Sequence, residues 1–199
     1  MRWFGHKMVL FIFPVLLGCV VIWPPQAEAH KGHAGSVTQF LDTKEVLRAL
    51  LPGGAKLVKR KERLSMTSAK SVEGELGIDL DSNIHTYYRA NDRSSGEVMG
   101  GAIIMKYAYR HGDVVLAVGI DSQNKLTGVA IQGISEKYIP DFEAAFGTGI
   151  LQGYEGKSVQ DLAEMAKAEA KNKPAAFLFS KLAETTAMIA AFLRSADSL

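Results

Sequence analysis

The chain has 199 residues and a mass of 21.6 kDa, room for one ordinary domain or two small ones. With 47% hydrophobic residues, 22% charged residues and only 6 prolines, the composition excludes a disordered, collagen-like or polytopic membrane protein. The formal net charge is +2 and no long Lys/Arg block occurs, so there is no nucleic-acid footprint.

Arg2, His6 and Lys7 form a basic head before an apolar run, residues 8–23, which Pro14 interrupts and Pro24-Pro25 ends. Ala27 and Ala29 are small residues at the positions a signal peptidase reads, so residues 1–29 have the layout of a secretory signal cut before His30. Two other readings stay open: residues 8–23 retained as a membrane tether, and Leu16-Leu17-Gly18-Cys19 acting as a bacterial lipobox with Cys19 lipidated. Each places the domain outside the cytoplasm. Cys19 is the single cysteine, so an internal disulfide framework and a Cys-rich metal site are both excluded.

Residues 30–37 read as a flexible, His-containing leader, and residues 38–199 as one domain. Residues 38–51 carry apolar side chains near helical spacing and stop at Pro52-Gly53-Gly54, which predicts a helix. Residues 55–63 are basic and read as a solvated face or strand edge. Residues 67–77 predict a short helix ending at Gly77. The period then changes. Residues 84–90, 98–108, 114–120 and 126–134 are rich in β-branched and aromatic residues and are separated by turn clusters, which predicts an antiparallel meander. Helical patterns return at 141–146, 159–172 and 175–194, with Ser158 and Asp161 as a weak capping box. The order helix, sheet, helix gives an α+β class, an antiparallel β-meander sheet flanked by helices after an N-terminal signal sequence.

The segments Tyr87-Tyr88-Arg89-Ala90, GEVMGG at 96–101, VLAVGID at 115–121, KLTGVAI at 125–131 and ILQGYEGKS at 150–158 resemble the FMN-binding domain family of extracytoplasmic electron-transport proteins. That family has members in Rnf electron-transport complexes and in sodium-pumping NADH:quinone reductases. The resemblance runs from about residue 38 to residue 158. It implies a flavin that relays electrons to a membrane or periplasmic redox protein. Flavinylated members carry Ser-Gly-Ala-Thr at the opening of a helix, where small residues let the FMN phosphate reach free N–H groups and the favourable dipole end. Here the matching stretch is Ser180 to Thr186; Ala183 stands at the acceptor position, no glycine accompanies it, and Glu184 repels a phosphate. The resemblance therefore points to FMN held without a covalent bond.

The candidate phosphate contacts are Gly147, Thr148, Gly149, Lys157 and Ser158, whose glycines and hydroxyls could cradle an anion before a helix. Thr185 and Thr186, read as surface or capping hydroxyls, are reserve positions. GYEGKS at 153–158 is not a P-loop, because position 151 is Leu151 and not glycine. The Tyr87, Tyr88, Tyr107 and Tyr109 side chains read as packing, any one of which could stack on an isoalloxazine ring. A cut before His30 would leave an α-amine and the imidazoles of His30 and His33, a nitrogen set suited to copper. His85 and His111 have no assigned role, and no hydrolytic triad is visible. The alternative function is a flavin-free accessory or binding module of the same fold, with copper held by His30 and His33.

Overall fold

The computed structural model describes residues 34–80 and 83–197. The chain is an α+β domain built on a single antiparallel sheet. In chain order its elements are β1 (Val37–Gln39), α1 (Thr43–Leu50), β2 (Lys56–Arg63), α2 (Met66–Leu76), β3 (Ile84–Asn91), β4 (Val98–Tyr109), β5 (Gly112–Asp121) and β6 (Leu126–Ser135). A 3-10 turn at Glu136–Tyr138 leads into α3 (Ile139–Phe146), then β7 (Gly149–Leu151), α4 (Val159–Ala168) and α5 (Lys173–Asp197).

The strand order is β1-β6-β5-β4-β3-β2. The expected four-strand meander is its centre, β3 to β6, each strand bonded to the next in sequence. One edge is shared by two short strands that lie end to end along β6. Val37–Gln39 faces Ser135–Gly133, and Gly149–Leu151 faces Ile131–Val129. β2 is the other edge. The helix expected from residue 38 begins only at Thr43, because Val37, Thr38 and Gln39 are drawn into β1 by pairing with β6. Asp42 then caps α1, accepting from the N–H groups of Lys44 and Glu45 at 2.7 and 2.9 Å.

The two faces of the sheet are built from different residues. On one face Tyr87, Ile103, Leu116, Val118, Val129 and Ile131 form the main core with α5. On the other, Ala90, Ala102, Ala117 and Ala130 meet α1 through Val46, Leu47, Leu50 and Leu51. Strand alternation sends successive side chains to opposite faces, so both sets come from the same strands. A side chain at Gly119 would bring its Cβ to 2.6 Å from the Leu50 carbonyl oxygen, so α1 can lie close only over a glycine. The Thr127 hydroxyl donates to that same carbonyl.

By length and composition α5 could cross a membrane, yet it is the core helix of the domain. Every residue from Thr185 to Leu193 is buried, between the sheet on one side and the other helices around it. A helix enclosed in this way is apolar all round.

Residues 34–37, assigned to the leader by sequence, are tied to the domain at Ala34 and by backbone hydrogen bonds, while residues 35–37 stay exposed. Ala34 is 1% exposed, and the Ser36 and Ala34 carbonyls accept from Glu136 and Lys137 N–H at 3.0 and 3.1 Å. His30, His33, Cys19 and the apolar run at 8–23 lie outside the described residues.

Candidate functional site

The sequence candidates fall into three separate places. Gly147 ends α3, with its N–H bonded to the Glu143 carbonyl, and Gly149 opens β7 opposite Ile131. Thr148 lies between them. From Gly149 the chain runs back along β6 until the Lys157 carbonyl accepts from Leu126 N–H at 2.9 Å. The run from Ile131 to Leu126 spans about 16 Å of strand. A single phosphate cannot touch both Gly149 and Ser158.

Ser158 caps α4, and the expected capping box is present. The Asp161 carboxylate accepts from Ser158 N–H at 2.6 Å and from the Ser158 hydroxyl at 2.7 Å; Asp161 N–H donates to Ser158 Oγ at 3.2 Å. The bonds from Ser158, the backbone N–H above all, hold the Asp161 carboxyl below its ordinary value, with Lys125 and Lys157 adding to the effect. The α4 N-terminus therefore already holds an anion, and that anion belongs to the chain. Beside it, a cleft of about 260 Å³ lies between the β5–β6 turn and α5, with the paired side chains of Glu75 and Arg194 among its walls.

Thr185 and Thr186 are neither surface nor capping residues. Both are fully buried in the middle of α5. Thr185 donates to the Lys181 carbonyl at 2.7 Å and shares a second hydrogen bond of 2.7 Å with the Tyr107 hydroxyl. Among the described residues, the buried Thr186 hydroxyl has no hydrogen-bond partner. Lys181 pairs with Glu184 at 2.5 Å and lies over the Tyr107 ring at 5.0 Å. Because α5 is continuous from Lys173 to Asp197, no helix opens at Ala183 and no free N–H groups stand there.

The tyrosines are absorbed by packing. Tyr87 stacks on Phe192 at 4.7 Å, and its hydroxyl donates to Glu62 at 3.2 Å. Burial, with the Glu62 carboxylate beside it, pushes the Tyr87 phenol up to about 12. Tyr109 sits edge-on to Tyr138 and Phe142, and Tyr88 points to the opposite face, against the α1 cluster.

FMN, which the sequence resemblance implies, thus meets residues that do not fit it. The hydroxyls at 185 and 186 are enclosed, the serine at 158 is claimed by Asp161, and the glycines at 147 and 149 lie at the far end of a strand. A cavity of about 530 Å³ lies elsewhere, at the β4–β5 turn under residues 34–37. Arg110, His111, Asp113 and Ser135 are in its wall. That volume is within the range of small-molecule pockets. Its Arg110 is already paired with Asp141 at 3.2 Å and lies over the Tyr109 and Tyr138 rings.

His111 has no role in the sequence reading, and nothing local in the sequence sets it apart. It becomes noticeable only because β1 returns to β6 and brings Ala34 to the same cavity. Among the described residues, no three His, Cys, Asp or Glu side chains are grouped to hold a metal ion. Comparison with known proteins returns no matching family model, no matching curated protein and no matching solved structure.

Proposed function

We propose that this chain is an extracytoplasmic accessory module with the architecture of the FMN-binding domains but without flavin, serving a membrane or periplasmic redox protein by binding it. The observation that carries this reading is the unbroken α5. A phosphate-binding helix start at residues 183–186 would require the helix to open there, and instead Thr185 is bonded inside the core to Tyr107 and to Lys181. The capping carboxylate of Asp161 supports the same conclusion at the second candidate position, since a phosphate would have to displace it against like charge.

The N-terminal segment supplies the extracytoplasmic part of the proposal through its basic head, apolar run and small-residue cut site. A second reading, copper binding, is favoured by one placement. Ala34 lines the 530 Å³ cavity together with His111 and Asp113, and His33 is its immediate neighbour in sequence. Imidazole nitrogens from His30, His33 and His111 would suit a borderline metal.

The test is flavin retention. The purified full chain, incubated with FMN and desalted, should carry no flavin absorbance; a yellow protein after desalting would overturn the flavin-free reading. The same preparation titrated with Cu(II) decides the second reading: His30→Ala and His111→Ala should each weaken binding, and unchanged binding removes it.

A further inference from the structure

The edge strand β2 takes no part in any of the candidate sites. Among the described residues it pairs with β3 on one side and with nothing on the other. Over its eight residues only Val58 is partly covered. An uncovered edge of this length, about 26 Å, presents a row of unpaired backbone N–H and C=O groups.

The charges on it are distinctive. Lys56, Lys59, Arg60, Lys61 and Arg63 are basic, and Glu62 is the one acid. Glu62 is already engaged by the Tyr87 hydroxyl. Among the described residues, Lys56, Lys59, Arg60 and Lys61 have no ion-pair partner. The register places Leu57 opposite Ala90 and Lys59 opposite Tyr88, on the α1 face of the sheet; Lys61 follows them there. Arg60 opposes Tyr87 and points to the α5 face, as does Lys56. The positive charge therefore fans to both sides of the edge.

This geometry separates the possible occupants. Two copies of β2 side by side would set lysine against lysine, which repels. A flat anionic bilayer would meet the charges of one sheet face only. An extended strand added along the edge meets both sets, because its own side chains alternate between the faces.

We propose that β2 is the docking edge for an acidic, extended segment of a partner protein, which adds to the sheet as an eighth, antiparallel or parallel strand. Backbone hydrogen bonds supply the attachment, and carboxylates at consecutive positions of the partner, which fall on alternate faces, select it by pairing with Lys59 and Lys61 on one face and Arg60 on the other. Leu57, 41% exposed, gives an apolar contact in the first half of the strand. β2 lies at the opposite edge from β1, about 24 Å across the sheet, so a partner docked there is clear of the chain's entry into the domain. This proposal rests on the reading of the protein as a binding module.

The test uses the purified full chain and a fluorescent peptide with a run of consecutive glutamates flanked by Val and Thr, so that neighbouring carboxylates fall on both faces of the added strand. The acidic peptide should bind with an affinity that falls as salt rises, and its Lys-for-Glu counterpart should not bind. An acidic peptide interrupted by prolines keeps the charge but cannot form the ladder, and should bind at least about tenfold more weakly. Lys59→Glu/Lys61→Glu and, separately, Arg60→Glu should each weaken the acidic peptide about tenfold, with circular dichroism unchanged, since these side chains are exposed.

Equal binding of the proline-interrupted peptide would overturn strand addition. An effect of Lys59→Glu/Lys61→Glu with none from Arg60→Glu would overturn the edge geometry. Capture by phosphatidylglycerol vesicles without peptide binding would replace the proposal with a membrane surface. Flavin retention on the same preparation would remove the flavin-free function and leave the peptide result standing, so the two failures are distinguishable.

Discussion

The two faces of this sheet come from the same four strands and solve opposite packing problems. Toward α5 the strands present Tyr87, Ile103, Leu116, Val118 and Ile131, and the helix is held off by bulk. Toward α1 they present Ala90, Ala102, Ala117 and Ala130, with Gly119 and Gly128 beneath Leu50. A face of large side chains stabilises through apolar area removed from water, whereas a face of small ones stabilises through close approach. The short, eight-residue α1 can belong to the core only because the sheet beneath it has almost no side chain. The first face is sensitive chiefly to deletion, and the second, at Gly119, to addition.

That contrast can be broken from either side. Phe192→Ala empties the space of a fully buried ring stacked on Tyr87 and should cost about 3–5 kcal/mol, read as a fall in the denaturant midpoint. On the opposite face one added methyl group should suffice. Gly119→Ala drives its Cβ against the backbone carbonyl of Leu50 and the Thr127 hydroxyl, and should cost about 1–3 kcal/mol. At Gly128 the nearest atom is the Leu50 Cδ2 methyl, at 2.8 Å, which can rotate away. Gly128→Ala should therefore cost clearly less than Gly119→Ala. Equal costs would mean that α1 shifts as a body, and the close-approach account of that face would fail.

A sharper form of the comparison lies within α5, in two neighbouring threonines of equal burial. Thr185→Val removes two hydrogen bonds, one of them to the Tyr107 hydroxyl, and should cost about 1 kcal/mol. Thr186→Val replaces an unpartnered buried hydroxyl with a methyl group of the same shape, and should be neutral or raise stability by about 1 kcal/mol. Thermal unfolding of the two variants reads the sign directly. If Thr186→Val is instead the more damaging, the hydroxyl has a partner inside the folded protein, and the account of it as an unsatisfied group fails.

Much of the fold is legible in the sequence because its governing interactions are local. The β-branched runs at 84–90, 98–108, 114–120 and 126–134 lie within β3 to β6, and Gly77, in a left-handed conformation, stops α2 where expected. What stays hidden depends on distant partners. Thr38 has a helical pattern around it, and only Ile134, far along the chain, makes it a strand residue. Three-residue β7 has no pattern of its own and exists because β6 has room on that edge beyond β1. The candidate site is harder to read for the same reason. Ser158 and Thr185 carry the right atoms, but whether a hydroxyl is available depends on what already bonds it, and Tyr107, far upstream, is invisible from the local sequence at 185. The β2 edge is basic and solvated on sequence alone, though its alternation across both faces needs the register with β3.

The smallest effect concerns the anion the chain supplies to itself. Bonding from Ser158 holds Asp161 below its ordinary carboxylate value of 3.8, so the folded state favours the ionised form. Its contribution is complete above that value and fades as pH falls through the lower value of the folded chain. Glu75, lowered first by its bond from Arg194, and Asp92, lowered by the N–H groups of Ser95 and Ser94, slope the same way. Asp161→Asn should therefore flatten only part of the acid limb, seen as a shallower loss of urea stability below about pH 4. A limb parallel to that of the parent would mean that Asp161 titrates alike in folded and unfolded chains. The box would then hold its carboxylate too loosely to exclude a phosphate. The acid slope of one exposed aspartate thus bears on whether α4 is closed to an outside anion.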